Sequence, residues 1–224
     1  MSSAVSNNRR YDSPRRREQA AATRQAILAA AQHLFERDGY VATPMPAIAA
    51  EARVALKTVY VAFGTKANLL RTLWDLRLAG NEAATPVLER GWYREVVEDD
   101  SPEAKLRLAA RQSRAVKTRS GRLLEVIRNA ASVDPEIRTL WEEIQSKLHH
   151  VASALIEQLH SSNALRSGLD PAIAADILWT LNHPAVWQLL IHERQWQPDQ
   201  YEQWLEQSLR SQLLPNAQPI PDHA

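Results

Sequence analysis

The stretch Thr58–Leu70 reads T-V-Y-V-A-F-G-T-K-A-N-L-L, and it closes a segment, residues 23–70, whose reading decides the fold. Upstream of it, Ile27, Leu28, Ala31, Leu34 and Phe35 form an apolar stripe at helical spacing. Gly39 follows, where a chain leaving a helix often needs positive φ. Thr43 is the expected N-cap of a second, very short helix, with Pro44 at its first position and Ile48 and Ala49 facing inward. A turn at Ala52-Arg53-Val54-Ala55 leads to a third helix, Leu56 to Phe63. Two helices joined by so tight a turn, the second carrying a lysine and an aromatic, match a helix-turn-helix.

Three groups of residues share one order: F-x-x-x-G-Y-x-x-T (Phe35, Gly39, Tyr40, Thr43), I-A (Ile48, Ala49), and T-V-Y-x-x-F-x-T-K-x-x-L-L (Thr58 to Leu70). Over about fifty residues this order resembles the TetR family of transcriptional regulators. The resemblance implies an all-α chain: an N-terminal three-helix helix-turn-helix domain, then a C-terminal helical domain for ligand binding and dimerisation. It implies a homodimer on a palindromic double-stranded DNA operator, acting as a repressor and released by a small-molecule effector. The alternative is a sequence-specific DNA binder without an effector, either constitutive or architectural.

The resemblance places Thr43, Tyr60 and Lys66 in phosphate-contacting positions, where hydroxyl, phenol and ammonium meet the DNA backbone. Tyr60 also reads as a core aromatic, and Lys66 as an ordinary surface lysine. Base edges fall to the recognition-helix residues Leu56, Lys57, Thr58 and Val61. Lys57 is the charged one, suited to guanine, and the others can touch thymine methyls. Arg53, in the turn, is expected at backbone or base. Three residues depart from the family pattern: Arg53 where glycine is usual, Ala55 in place of a serine cap, and Ala62 where histidine is frequent. Arg53 should then sit in a strained conformation or in a different turn, and Ala55 forfeits about 1 kcal/mol of capping.

Charge is distributed to match. The whole chain carries a net charge of +1, yet residues 1–70 hold 10 Lys and Arg against 5 Asp and Glu, and residues 71–224 hold 17 against 21. A basic head on an acidic body suits phosphate binding at one end. Residues 1–20, rich in arginine (Arg9, Arg10, Arg15, Arg16, Arg17) and without a hydrophobic period, read as a disordered basic arm. It either reaches a DNA groove or is a solvated tail. The helix-turn-helix domain spans 21–67, the effector and dimerisation domain 68–214, and a flexible tail 215–224.

The body reads as helices in series with no alternating strand pattern. Thr65 caps a fourth helix; Ser101-Pro102, Asp134-Pro135, Asp170-Pro171 and Pro198 open others. Leu106 to Lys117 and Leu123 to Ala131 read as two separate helices. Two late stripes, Ile173/Ile177/Leu178/Leu181 with Val186/Leu189/Leu190, and Tyr201/Trp204/Leu205/Ser208/Leu209/Gln212, are either monomer core or a dimer surface. The resemblance favours pairing through the two C-terminal helices, residues 170–214.

For the effector site, Asn182-His183-Pro184 stands out, because a proline inside a helical pattern frees a carbonyl. Arg128, Asn129, Trp141, Trp179, His183 and Trp187 are the candidate lining residues, each with a plain core reading beside it.

Other functions find little support. The chain has no cysteine, which excludes disulfides and thiol chemistry. Neither a catalytic set nor a metal-ligand cluster is legible, and His149-His150 lacks companions at ligand spacing, so no cofactor is expected. No apolar run approaches the roughly 18–20 residues of a membrane span, and residues 1–20 lack the apolar moment of a membrane-surface helix. The expected location is the cytoplasm.

Overall fold

The structure, a computed structural model, describes residues 14–79, 91–99 and 101–215. The chain divides into two compact units, Met1–Leu69 and Leu70–Ala224. Among the described residues the regular elements are all helices: α1 Pro14–Asp38, α2 Met45–Glu51, α3 Leu56–Phe63, α4 Lys66–Ala79, α5 Gly91–Glu98, α6 Pro102–Ala130, α7 Pro135–Ser161, α8 Pro171–Leu181, α9 Pro184–Gln188 and α10 Pro198–Leu213, with a π-helical turn at Leu189–Glu193. None of these helices is long and apolar enough to cross a membrane. Residues 14–20, expected in the arm, belong to α1; the rest of the arm, and all of the expected tail beyond residue 215, lies outside the described residues.

In the first unit, α2 packs on both α1 and α3. Ile27, Ala31 and Phe35 of α1, Ile48 of α2, and Val59 and Phe63 of α3 are all buried. Gly39 ends α1 at φ +83°, as its position predicts. The α2–α3 turn closes as a Schellman motif, Arg53 N–H donating to the Ala50 carbonyl at 3.1 Å and Val54 N–H to that of Ala49 at 3.0 Å. Arg53 occupies the left-handed position at φ +55°, so the departure from glycine is met by strain in a kept turn.

The second unit is built on α6, which packs against α5, α7, α9 and α10. Its helix starts follow the expected chemistry: the side chains of Ser101, Asp134 and Asp170 each accept from backbone N–H groups of the first turn, just ahead of a proline. The two helices expected between Leu106 and Ala131 are one continuous helix. The apparent break at Gly121 is a packing requirement, since a Cβ there would lie 2.9 Å from Trp187 Nε1. The buried residues of α6 carry the stripe straight through the polar stretch: Ala110, Ser113, Lys117, Ser120, Leu124 and Ile127.

The late apolar stripes divide between core and surface. Leu178, Tyr201, Leu205 and Leu209 are buried within the unit. Ile173 is 55% exposed and Leu189 49% exposed, with Ile177 and Trp204 half-buried.

Candidate functional site

In the first unit the candidate surface is one side of α3. At about 100° per residue, Tyr60, Lys57 and Val61 share one arc of the helix, Val59 and Phe63 fall together on another, and Leu56 stands at the edge between them. Burial follows that division: Val59 and Phe63 are buried, whereas Tyr60 is 48% and Val61 78% exposed. Leu56 and Lys57 are exposed and Thr58 is half-buried. Tyr60 is therefore not a core aromatic. The helix starts without a side-chain cap at Ala55, and Thr58 N–H closes the first turn on the Ala55 carbonyl at 2.8 Å. Its far end is held from α1: the Arg24 guanidinium lies 4.2 Å above the Phe63 ring and donates to the Ala62 carbonyl at 2.9 Å. An exposed reading face is thus fixed by two core residues and one arginine.

The flanking candidates are held more tightly than their sequence positions suggest. Thr43 is buried, and its hydroxyl donates to the carbonyls of Gly39 at 2.8 Å and Leu34 at 3.3 Å. Thr43 therefore fastens the α1–α2 turn instead of capping α2. The cap is Pro44, and the helix starts at Met45 with Pro46 in its first turn. Lys66, at the start of α4, donates to the Tyr40 carbonyl at 2.9 Å with its ammonium 4.1 Å from the Tyr40 ring centre. Arg53 stands exposed at the turn.

The second unit encloses a cavity of about 160 Å³. Its walls are largely apolar, including Trp74, Tyr93, Leu148, Val151 and Leu155. The polar lining is Gln112, Ser113, Lys117, Lys147, Trp179 and Asn182, and the described lining contains no carboxylate. Lys117 is fully buried. Its ammonium donates to Asn182 Oδ1 and the Tyr201 hydroxyl at 2.6 Å, the Asn182 carbonyl at 2.7 Å and Ser113 Oγ at 2.9 Å. All four are neutral oxygens shared among three N–H donors. Burial without a counter-charge pushes the Lys117 amine well below the usual lysine range. The Asn182 carbonyl is available because α8 ends just before Pro184, in the segment singled out from sequence.

The six lining candidates separate clearly. Trp179 lines the cavity, and its buried indole N–H has no acceptor among the described residues. His183 caps α9 through Nδ1, which accepts from Ala185 N–H at 3.1 Å, while its Nε2 lies 3.0 Å from Gln145 Oε1. Burial first, then Lys117 and Arg128, lower its pKa. Trp141 meets the edge of His183, with ring centres 6.1 Å apart. Trp187 is core, edge-on to Tyr201 at 4.8 Å. Arg128 borders a small separate pocket beside Lys117, and Asn129 is exposed, outside either lining. His183, Trp141, Trp187, Arg128 and Asn129 are thus absent from the cavity wall.

Residues 27–73 match a family model described as bacterial regulatory proteins, TetR family. Over these residues, the helix-turn-helix head, the chain is similar to the TetR family. Solved structures share the fold along most of the chain. NalD, the secondary repressor of the MexAB-OprM multidrug efflux pump in Pseudomonas aeruginosa, is 24% identical at a TM-score of 0.69, covering 89% of this chain and 100% of its own. FadR from Bacillus subtilis in complex with stearoyl-CoA is 19% identical at a TM-score of 0.66, covering 83% and 96%. SmeT in complex with triclosan is 17% identical at a TM-score of 0.62, covering 89% and 98%. At these identities the likeness establishes the fold. No curated protein matches the sequence.

The TetR-family head was readable from its own residues, whereas the buried polar group around Lys117 was missed. Its signal was present in α6: a lysine and two serines fall on the three-four spacing of Ala110, Leu124 and Ile127. A polar residue on a buried stripe marks a place where something polar must be satisfied.

Proposed function

We propose that the protein is a homodimeric transcriptional repressor that binds a palindromic operator through α3 and releases it when a small molecule fills the cavity of the second unit. The observation that carries the DNA reading is the exposed arc of α3, with Lys57 among Leu56, Tyr60 and Val61, on a helix anchored by Val59 and Phe63. Exposed apolar side chains are costly to leave in water without a partner, and thymine methyls and sugar edges provide one. Lys57 supplies a donor for guanine, with Arg53, Thr58, Tyr60 and Lys66 around it for phosphates and neighbouring bases. Thr43 serves by holding the turn that positions α2.

The release step is supported by α4, whose first turn carries Lys66 in the head and whose later residues Trp74 and Leu78 belong to the cavity wall. A ligand that displaces Trp74 acts on the helix that carries Lys66. It releases DNA to the extent that it favours the DNA-incompetent state. That NalD is named a repressor, and that FadR and SmeT were solved with small molecules, supports the same reading. Dimerisation is assigned to the C-terminal helices, through exposed Ile173 and half-buried Ile177 of α8 and half-buried Trp204 of α10.

The test is selection of operator sequences from random duplexes, with and without a metabolite extract. A palindromic consensus that weakens with extract is expected. A consensus indifferent to extract would establish the constitutive binder instead. Lys57→Ala should cost about 1–3 kcal/mol at one base position per half-site, and Lys66→Ala should weaken all duplexes alike with a shallower salt dependence. Wild-type binding by both variants would remove α3 from the interface.

A further inference from the structure

The cavity of the second unit pairs an apolar wall with a buried amine that has no carboxylate partner among the described residues, and the geometry points to its occupant. We propose that this cavity is a receptor for a small organic anion, a single ring or short alkyl chain bearing one carboxylate, which is held by Lys117 and Trp179. The proposal names the ligand class of the site assigned above to the effector, and it rests on that reading only for its regulatory meaning.

Charge sets the sign of the ligand. Two lysines and no carboxylate belong to the described lining. Lys147 has carboxylates near it, since its charge acts on Asp75 of α4 and Glu143 of α7. Among the described residues Lys117 donates to Ser113, Asn182 and Tyr201, whose oxygens are neutral. The nearby titratable groups do not supply an anion to it: His183 is held toward its neutral form, and Glu125 and Arg128 share the small pocket on the other side of Lys117. A buried ammonium surrounded by dipoles alone gains most from a carboxylate brought to it in the same dry environment. A cationic ligand would meet repulsion there.

A second, independent feature supplies the other half of the anion site. The Trp179 indole N–H is a donor, buried, and without an acceptor among the described residues. Buried donors are rarely left unmade, because each costs about 1–3 kcal/mol. A carboxylate would replace one of the four neutral acceptors now shared by the three Lys117 N–H groups, and its remaining lone pairs suffice for the Trp179 N–H.

Volume sets the size. A dry apolar cavity of about 150 Å³ holds benzene, and this one measures about 160 Å³. One ring or a chain of about six carbons fits beside the carboxylate, with Val151 and Leu155 among the wall residues in contact with it. A long acyl chain would require the walls to move.

The decisive experiment is calorimetric titration of the full-length protein, without DNA, with three probes of one shape: phenylacetate, phenylacetamide and 2-phenylethylamine. Phenylacetate is expected to bind about tenfold or more tighter than the amide, since charge-assisted hydrogen bonds are roughly twice as strong as neutral ones. The amine should not bind. Lys117→Met should weaken phenylacetate about tenfold or more and the amide less, so that the preference for the acid over the amide is lost. A second readout needs no variant: near pH 9 phenylacetate should take up protons on binding, measured in buffers of different ionisation enthalpy, and phenylacetamide should not. Equal binding of acid and amide, preference for the amine, or binding of none of the three would overturn the anion receptor. Operator binding is measured separately with each probe. Tight phenylacetate binding that leaves operator affinity unchanged would uphold the anion site and refute the effector reading.

Discussion

The two units place residues against their solvent preference in opposite ways. In the head, apolar side chains are exposed: Val61 at 78%, Val41 at 70% and Tyr60 at 48%. In the second unit a lysine is buried, bonded to four neutral oxygens and to no carboxylate. An exposed apolar arc and a buried cation are each informative because each is unfavourable in isolation. On the readings proposed above, each is where a partner of one kind belongs: a large, grooved polyanion outside the head, and a small anion inside the second unit.

The sharpest way to break this comparison is to attack what holds the exposed arc in place. Phe63→Ala removes a buried ring that packs in the head and carries the stacked Arg24 guanidinium. It should destabilise the head by about 3–5 kcal/mol, read by chemical denaturation, with operator binding lost in parallel. A head that kept its stability after this change would mean that α3 is not seated by its own core.

The difference between the units also explains what was legible in the sequence. The head is built from local signals, each decided by a few adjacent residues: the Ile27-to-Phe35 stripe, Gly39, and the closing Thr58–Leu70. Even the strain at Arg53 was readable, because a non-glycine residue stood where the turn needs positive φ. The cap at Thr43 was misread, because a threonine before a proline resembles an N-cap until the end of α1 is seen to claim its hydroxyl. The second unit depends on contacts between distant residues. Lys117 reads as solvated within Lys117-Thr118-Arg119-Ser120-Gly121, and only its partners Asn182 and Tyr201, more than sixty positions away, make it an interior residue. The split expected between Lys117 and Leu123 likewise reflects the want of any local sign of Trp187, which packs at Gly121.

Lys117 provides the next test, through pH. Its amine is held below the value it has in the unfolded chain, so the unfolded state binds more protons over the window between the two. Stability should therefore rise with pH across that window, up to the ordinary lysine range near 10.5, by at most about 1.4 kcal/mol per pH unit from this group. Lys117→Met lacks the contribution, so its stability relative to wild type should fall as pH is raised from 7 to 10. Parallel pH profiles for the two proteins would mean that Lys117 is not desolvated in solution, and the contrast with the head's exposed Lys57 would vanish.

A third change probes the packing behind the cavity. Gly121→Val places a branched side chain where even a Cβ would approach Trp187 Nε1 to 2.9 Å. Trp187 is itself fixed edge-on to Tyr201, so it yields poorly. A loss of about 1–3 kcal/mol is expected in thermal or chemical unfolding. An unchanged midpoint would show that Trp187 can be displaced, and with it the ring of Tyr201 that helps to hold Lys117.

The smallest expected effect returns to the head. Arg53→Gly relieves a left-handed backbone that costs a non-glycine residue about 1–2 kcal/mol, although glycine also gains entropy in the unfolded chain, which offsets part of the benefit. A net stabilisation of up to about 1 kcal/mol is expected, read as a higher denaturation midpoint. If Arg53 is held there to touch the duplex, the same variant should weaken operator binding and reduce the slope of affinity against salt by about one unit. A more stable head that binds less DNA would mean that the strain at Arg53 is retained for a contact, in the same sense that the exposed arc of α3 is. A more stable head with unaltered binding would reduce the turn to an accident of sequence, and leave Lys57 to bear the base reading beside its apolar neighbours.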